Sequence, residues 1–254
     1  MTRAHTSDVD ALVDLLAAAR RGGPKVPLEA GRGLSREQAF DVQSRLVAAF
    51  GPVGGYKVAC PPDAPIVIAP IFASDIASSP AEFAFPSGER VGVELEFAYR
   101  LIAPLPSLEA PDFADDLRAC VELLPAIELV HSRLEDPSAA DPILKMADNQ
   151  INGGLVLGAP LPQGSSLDVT RAIGHLRAGD DVLLDGVANV PGGDAFETLH
   201  KFARALGSHC GGFQPGQVVI TGSLNGLPWV RPEQSIRGRI DDLGEVCLSL
   251  ATAR

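Results

Sequence analysis

The chain has 254 residues, of which 46% are hydrophobic and 21% are charged, and its formal net charge at pH 7 is −11. A chain of this length and hydrophobic content buries a large core, which excludes a disordered protein. The acidic charge argues against general binding to nucleic acid, which requires a basic surface. No stretch approaches the roughly 18 uninterrupted apolar residues of a membrane span, and the N-terminal residues do not have the pattern of a secretory signal.

Two helices are predicted first, in DVDALVDLLAAARR and in SREQAFDVQSRLVAAF, where Ser35 and Gln38 have the spacing of a capping box. Further helical patterns occur in DFADDLRACVELL and in AFETLHKFARALGSHC. The remaining segments are short, strand-like and separated by Gly, Pro and Asp: GGYKVAC, PIVIAPIFA, VGVELEFAYRL, LPAIELVHSR, GGLVLGAP, DVLLDGVANV, QVVITGSL, SIRGRIDDL and GEVCLSL. The predicted fold class is therefore α+β, with a helical N-terminal portion followed by a sheet-rich body.

The cysteines of the chain are widely spaced and form no Cys-x-x-Cys pair: Cys60, Cys120, Cys210 and Cys247. This spacing disfavours a disulfide framework and predicts reduced thiols in a cytoplasmic protein.

The segment VGVELEFAYRL carries two carboxylates in a strand-like pattern. Because strand side chains alternate between the two faces of a sheet, Glu94 and Glu96 are predicted to share one face with small neighbours. Strands are generally poor in Glu, and like charges placed side by side repel. One interpretation is a solvated sheet face; the other is a site that uses the negative charge.

A third carboxylate, Glu128, lies in the apolar run LPAIELVHSR. A buried and unpaired charge is costly, so this residue requires a partner. Arg100 and Arg133 are candidates for a salt bridge. A divalent cation would instead satisfy all three glutamates, since Mg²⁺ prefers carboxylate oxygens and leaves positions open for a substrate.

Lys57 and Asp75 are candidates for acid–base chemistry. Lys57 alternates with Tyr56 and Val58 in a mostly apolar strand, and a desolvated lysine loses its proton more easily. A surface lysine or a structural salt bridge is the alternative. Asp75 follows PIFAS, where an aspartate that forms a turn is equally typical.

The order of GGYKVAC, PIFASD, VELEFAYRL, LLPAIELVHSR, MADNQINGGLVLG and GQVVITGSLNGLPWV resembles the hydratase/decarboxylase branch of the fumarylacetoacetate hydrolase superfamily. The resemblance implies a mixed β-roll catalytic domain in residues 53–254, preceded by a helical segment in residues 1–52, and commonly a homo-oligomer. It implies Mg²⁺ or Mn²⁺ bound by Glu94, Glu96 and Glu128, with Lys57 and Asp75 as acid–base residues. The residues that it places around the substrate are Asp148, Asn149, Asn152, Thr221, Gly222 and Ser223.

The implied function is that of a metal-dependent lyase of aromatic catabolism. It would hydrate a 2-hydroxy-2,4-dienoate through a metal-stabilised enolate of a small 2-oxo acid. Three departures from the branch pattern alter the expected pocket: His131 where Asp is common, Gln150 to Asn152 where serines are common, and Ala59 where Gly is common. A decarboxylase of the 4-oxalocrotonate type, a C–C hydrolase, and a non-catalytic protein that binds oxo acids are therefore alternatives.

Overall fold

The structure, a computed structural model, describes the backbone of residues 2–253 and the side chains of residues 8–253. Its helices are α1 Thr2–Arg20, α2 Arg36–Phe50, α3 Phe113–Ala119, α4 Pro142–Ala147 and α5 Ala195–Leu206. Its strands are β1 Val53–Ala59, β2 Val67–Phe72, β3 Ile76–Ser78, β4 Ala81–Phe85, β5 Val91–Leu101, β6 Val121–Val130, β7 Asn152–Leu157, β8 Ala172–Ala178, β9 Asp181–Ala188, β10 Val218–Ser223, β11 Trp229–Val230, β12 Gln234–Ile240 and β13 Gly244–Thr252.

The strands form two mixed sheets, which confirms the α+β class. The larger has the order β2-β1-β10-β5-β6-β7-β3, with β11 beside β5, and the smaller has the order β4-β13-β12-β8-β9. Most pairs are antiparallel, whereas β1 with β10, β3 with β7 and β4 with β13 are parallel. Within residues 2–253 both sheets are open, so the roll does not close into a barrel. None of the described helices combines the length and the apolar character needed to cross a bilayer.

The main core lies where one face of β5 packs against the smaller sheet and α5. The side chains at alternate positions of β5 are almost fully buried there: Val91, Val93, Leu95, Phe97, Tyr99 and Leu101. At the contact between the sheets a Cβ on Gly238 would lie 2.8 Å from Leu95 and 3.1 Å from Ile127. A larger side chain at this position would push the sheets apart. Because one face of β5 is filled by this core, Glu94 and Glu96 lie on its opposite face.

The N-terminal helices pack on the larger sheet at one end. A second buried cluster joins residues of α1, α2 and α4 to Phe72 of β2 and Val130 of β6. The capping box at the start of α2 is confirmed, because Ser35 Oγ accepts from Gln38 N and Gln38 Oε1 accepts from Ser35 N.

Several segments differ from the sequence prediction. Helix α4 and the short strands β3, β4 and β11 were not predicted, and two further differences have a clear physical reason. The helix predicted in DFADDLRACVELL ends at Ala119, and its last residues open β6, since the apolar VELL pairs with β5 instead of continuing the helix. Strand β8, AIGHLRA, was not predicted. Its inward positions are Ala172, Gly174, Leu176 and Ala178, and small residues give little hydrophobic contrast with the outward ones.

Candidate metal centre

Glu94, Glu96 and Glu128 come together on one face of the β5–β6 pair. Glu94 lies directly opposite Glu128 in the antiparallel register, and Glu96 is opposite Ala126. One carboxylate oxygen of each glutamate lies within 4.8 Å of the other two. Glu128 is 0% exposed and Glu96 is 2% exposed. Because like charges directly opposite destabilise a sheet, this face requires a compensating positive charge, and the solvated-face interpretation is wrong.

Burial and repulsion from neighbouring carboxylates raise the pKa values of Glu94 and Glu96. Burial, followed by the neighbouring Glu128, raises the pKa of Glu94 to about 7. Burial raises the pKa of Glu96 well above its ordinary value, and the charges of Glu128 and Glu94 raise it further. A cation bound between the three groups would remove the repulsion that contributes to these shifts and would favour the ionised carboxylates.

The hydrogen bonds of Glu128 leave one of its oxygens available. Oε1 accepts from Lys57 Nζ at 2.7 Å and from Asn152 Nδ2 at 2.8 Å. Oε2 is buried and has no hydrogen-bond partner among the described residues. An unsatisfied buried carboxylate oxygen is costly. An all-carboxylate donor set with a free, buried oxygen therefore fits a hard divalent cation.

Glu128 forms its salt bridge with Lys57 and with neither of the two arginines considered as partners. Arg100 pairs with Glu122 at 2.6 Å and Arg133 pairs with Asp148 at 2.6 Å, so neither arginine neutralises Glu128. Burial lowers the pKa of Lys57, but the nearby carboxylates, Glu128 above all, outweigh burial and leave that pKa raised. Without a bound cation the Lys57 ammonium therefore keeps its proton, so the expectation that burial would ease its deprotonation is wrong.

The Thr221–Ser223 segment meets the glutamates through its backbone. Gly222 N donates to Glu96 Oε2 at 2.6 Å, at a register shift between β10 and β5. Gly222 has φ +113°, and a Cβ there would lie 2.8 Å from Pro191, so glycine is required for this contact. Thr221 Oγ1 donates to Phe97 O at 3.2 Å, and a hydrogen bond from Ser223 opposes the rise in the pKa of Glu94.

The segment from Asp148 to Asn152 connects α4 to β7 and contacts the carboxylate site. Asp148 is buried, and its carboxylate is engaged by Arg133. Asn149 Oδ1 is buried and without a hydrogen-bond partner among the described residues. The side chain of Asn152 contacts Glu128, and the carbonyl of Gln150 accepts from Lys57 Nζ at 3.3 Å.

Asp75 has partners other than Lys57. It forms an ion pair with Arg20 of α1 and accepts from Ser74 Oγ at 3.1 Å. Both Asp75 and Arg20 line a cavity of about 410 Å³. Among the described residues, Lys57 therefore pairs with Glu128 and Asp75 pairs with Arg20, and no hydrogen bond joins Lys57 to Asp75.

Two of the departures from the branch pattern lie away from the glutamates. His131 bonds through Nε2 to Glu89, which also binds Lys25 at 2.9 Å. Burial, followed by the charge of Lys25, lowers the pKa of His131. Ala59 is an exposed residue at the end of β1.

The raised pKa values predict how stability depends on pH without a cation. Glu94 and Glu96 hold more protons in the folded state than in the unfolded state, so ionisation favours unfolding. We expect their contribution to the free energy of unfolding in EDTA to be fully present below about pH 4.5 and to decrease as the pH rises through about 7. Chemical denaturation between pH 5 and pH 8 measures this decrease. A decrease equally steep in the Glu94→Gln, Glu96→Gln double variant would contradict the assignment.

No known family model matches the chain. In sequence it is 30% identical over 155 residues to 2-keto-4-pentenoate hydratase 1 and 2-keto-4-pentenoate hydratase 2 of Dechloromonas aromatica. The match covers 61% of this chain and spans 58% of the length of each relative.

Solved structures extend the similarity to the whole fold. 4-Oxalocrotonate decarboxylase from Pseudomonas putida G7, complexed with magnesium and adipate, matches with a TM-score of 0.79, covers 98% of both chains and is 19% identical. Fumarylpyruvate hydrolase from Pseudomonas aeruginosa, in complex with Mn²⁺ and pyruvate, matches with a TM-score of 0.58, covers 80% of this chain and 91% of its own, and is 16% identical. The chain thus has the fold of these proteins, and its resemblance to the hydratase/decarboxylase branch of the fumarylacetoacetate hydrolase superfamily is confirmed.

Proposed function

We propose that this protein is a divalent-metal-dependent lyase that hydrates a 2-hydroxy-2,4-dienoate, a small 2-oxo acid in its enol form. The observation that carries the proposal is a group of three carboxylates, two of them buried, next to a protonated Lys57. One oxygen of Glu128 in this group has no hydrogen-bond partner among the described residues. The similarity to 2-keto-4-pentenoate hydratases supports the choice of hydration.

Glu94, Glu96 and Glu128 would hold Mg²⁺ or Mn²⁺. A bound cation supplies Lewis acidity, which lowers the energy of negative charge developing on the 2-oxo oxygen. Lys57 Nζ and Asn152 Nδ2 both donate to Glu128 Oε1, so Oε2, which has no hydrogen-bond partner among the described residues, is available as a ligand.

Lys57 and Asp75 are the proposed acid–base residues. Lys57 would deliver a proton from Nζ to the substrate carbon chain, so that the dienol becomes an unsaturated ketone, and water then adds to the far end of the remaining double bond. Asp75, which pairs with Arg20, would accept the proton that the enol hydroxyl loses. When water adds, its proton would return to Lys57, and Asp75 would protonate the carbon next to the ketone.

The remaining proposed substrate contacts lie on the two segments that meet the glutamates: Asp148, Asn149, Asn152, Thr221, Gly222 and Ser223. The buried and unpartnered Oδ1 of Asn149 offers an acceptor for a hydroxyl group or for the attacking water. Free cysteines support a cytoplasmic protein. A role in aromatic catabolism and assembly as a homo-oligomer complete the proposal.

Decarboxylation is the second candidate, since the fold matches 4-oxalocrotonate decarboxylase over 98% of the chain. Loss of CO₂ from a 2-oxo diacid also produces an enolate, so the same carboxylates and Lys57 serve both reactions. A C–C hydrolase or a binder without turnover would use the same group of carboxylates.

An ultraviolet assay against a panel of unsaturated 2-oxo acids and 2-oxo diacids, with products identified by NMR and released CO₂ measured, separates these functions. We expect loss of dienoate absorbance, formation of a 4-hydroxy-2-oxo acid, abolition by EDTA and recovery with Mg²⁺ or Mn²⁺. Release of CO₂ would indicate the decarboxylase. Binding of the acids without turnover would indicate the non-catalytic protein.

A further inference from the structure

Residues 149–151 form a left-handed turn directly beside the carboxylates. The φ angles of Asn149, Gln150 and Ile151 are +48°, +51° and +54°. Consecutive residues other than glycine rarely adopt this conformation, and a β-branched residue such as Ile151 is the least suited to it. Such a turn persists only where surrounding contacts impose it.

Arg133 supplies those contacts at both ends of the turn. Its Nε donates to Asp148 Oδ1 at 2.6 Å and its Nη2 donates to Asp148 O at 2.8 Å. Its Nη1 donates to Asn152 O at 2.6 Å. Arg133 is 5% exposed and Asp148 is 3% exposed, so water competes little for these bonds. The fork of one guanidinium thus bridges the residue before the turn and the residue after it.

The turn directs two groups at the centre. The Gln150 carbonyl accepts from Lys57 Nζ, and the Asn152 side-chain amide donates to Glu128 Oε1. Both contacts involve the Lys57–Glu128 pair, in which Glu128 Oε2 has no hydrogen-bond partner among residues 8–253. A turn relaxed to right-handed backbone angles would move both groups.

We propose that Arg133 is a positioning residue for the carboxylate site, acting through the left-handed turn that it holds at both ends. It touches neither Glu128 nor Lys57 in the hydrogen bonds of the described residues, so its effect passes through Gln150 and Asn152. Groups that orient metal ligands in this way typically change metal affinity by about 10- to 100-fold. The consequence for metal binding rests on the proposed function, whereas the consequence for the turn does not.

Arg133→Lys tests the inference, because lysine keeps the charge and loses the fork. The matched control is Arg100→Lys, whose arginine also pairs with a carboxylate, Glu122, but lies away from the turn. Two readouts are taken well below the unfolding temperature: Mn²⁺ affinity by calorimetry, and hydrogen exchange of the Ile151 and Asn152 amides in the metal-free protein. These amides donate to Asp148 O and Asn149 O.

We expect Arg133→Lys to weaken Mn²⁺ binding by about tenfold or more and to speed exchange at both amides, while Arg100→Lys changes neither. Gln150→Gly, placed in the Arg133→Lys background, should partly restore the Mn²⁺ affinity and partly slow the exchange of the two amides. Glycine adopts positive φ readily and keeps the carbonyl that meets Lys57. Such a recovery would not occur if Arg133 only added general stability.

Unchanged exchange in Arg133→Lys, or equal changes in Arg100→Lys, would overturn the inference. Faster exchange with unchanged Mn²⁺ affinity would also overturn it, since the turn would then not position the site. If the unaltered protein binds no Mn²⁺, the proposed function fails and the exchange data alone decide on the turn. Should Arg133→Lys not fold, Asp148→Asn, which weakens one end of the bridge, takes its place.

Discussion

Glu128→Gln is expected to lower the affinity for Mg²⁺ or Mn²⁺ by at least about 100-fold, the upper end of the loss seen when only a supporting partner of a ligand is removed. The glutamine keeps the shape of Glu128 but removes the charge that would neutralise a cation. Its amide also replaces a carboxylate oxygen, in a position that is 0% exposed. Calorimetric titration of the metal-free variant measures the change.

The control for this variant is Glu122→Gln on the same strand. Glu122 pairs with Arg100 and is partly exposed, so its neutralisation changes the total charge equally without touching the site. Equal losses in the two variants would show a general electrostatic effect and would contradict the assignment of Glu128 as a ligand.

Lys57→Met should separate binding of the cation from turnover. Methionine fills much of the same volume but has no proton to transfer, so we expect kcat to fall by about 10²- to 10⁴-fold. Affinity for the cation should fall far less than kcat, because all three carboxylates remain and Asn152 still donates to Glu128 Oε1. Steady-state kinetics and calorimetry of one preparation give both values.

Lys201→Met is a suitable control for the lysine variant, since Lys201 lies on α5 and its side chain is 52% exposed beside Glu197. Turnover that survives Lys57→Met would remove Lys57 from the mechanism. Loss of cation binding together with turnover would indicate that the lysine only supports the fold of the site.

The sequence predicted the site better than it predicted the contacts within it. Period-two alternation is local, so it was enough to place Glu94 and Glu96 on one face and to direct Lys57 away from Tyr56 and Val58. The register that sets Glu128 opposite Glu94 depends on pairing between segments more than thirty residues apart. Alternation alone could not provide that pairing, and the resemblance in motif order was needed.

Choices among equivalent partners could not be predicted. Arg100, Arg133 and Lys57 were all chemically suitable for Glu128, and Lys57 pairs with it although β10 and β5 lie between β1 and β6 in the larger sheet. The pairing of Asp75 with Arg20 depends on where α1 packs. The left-handed turn has no sequence signature, because none of its residues is glycine and its cause is Arg133, sixteen or more positions earlier in the chain.

Because facing glutamates on β5 and β6 repel each other, the stability of the folded protein would depend on the cation concentration as well as on the pH. A ligand that binds only the folded state shifts the population away from unfolded chains in proportion to its concentration. If the cation binds as proposed, cells starved of magnesium or manganese would hold more unfolded copies, which proteases remove first. The abundance of this protein would then depend on the concentration of the divalent cation, even at a constant rate of transcription.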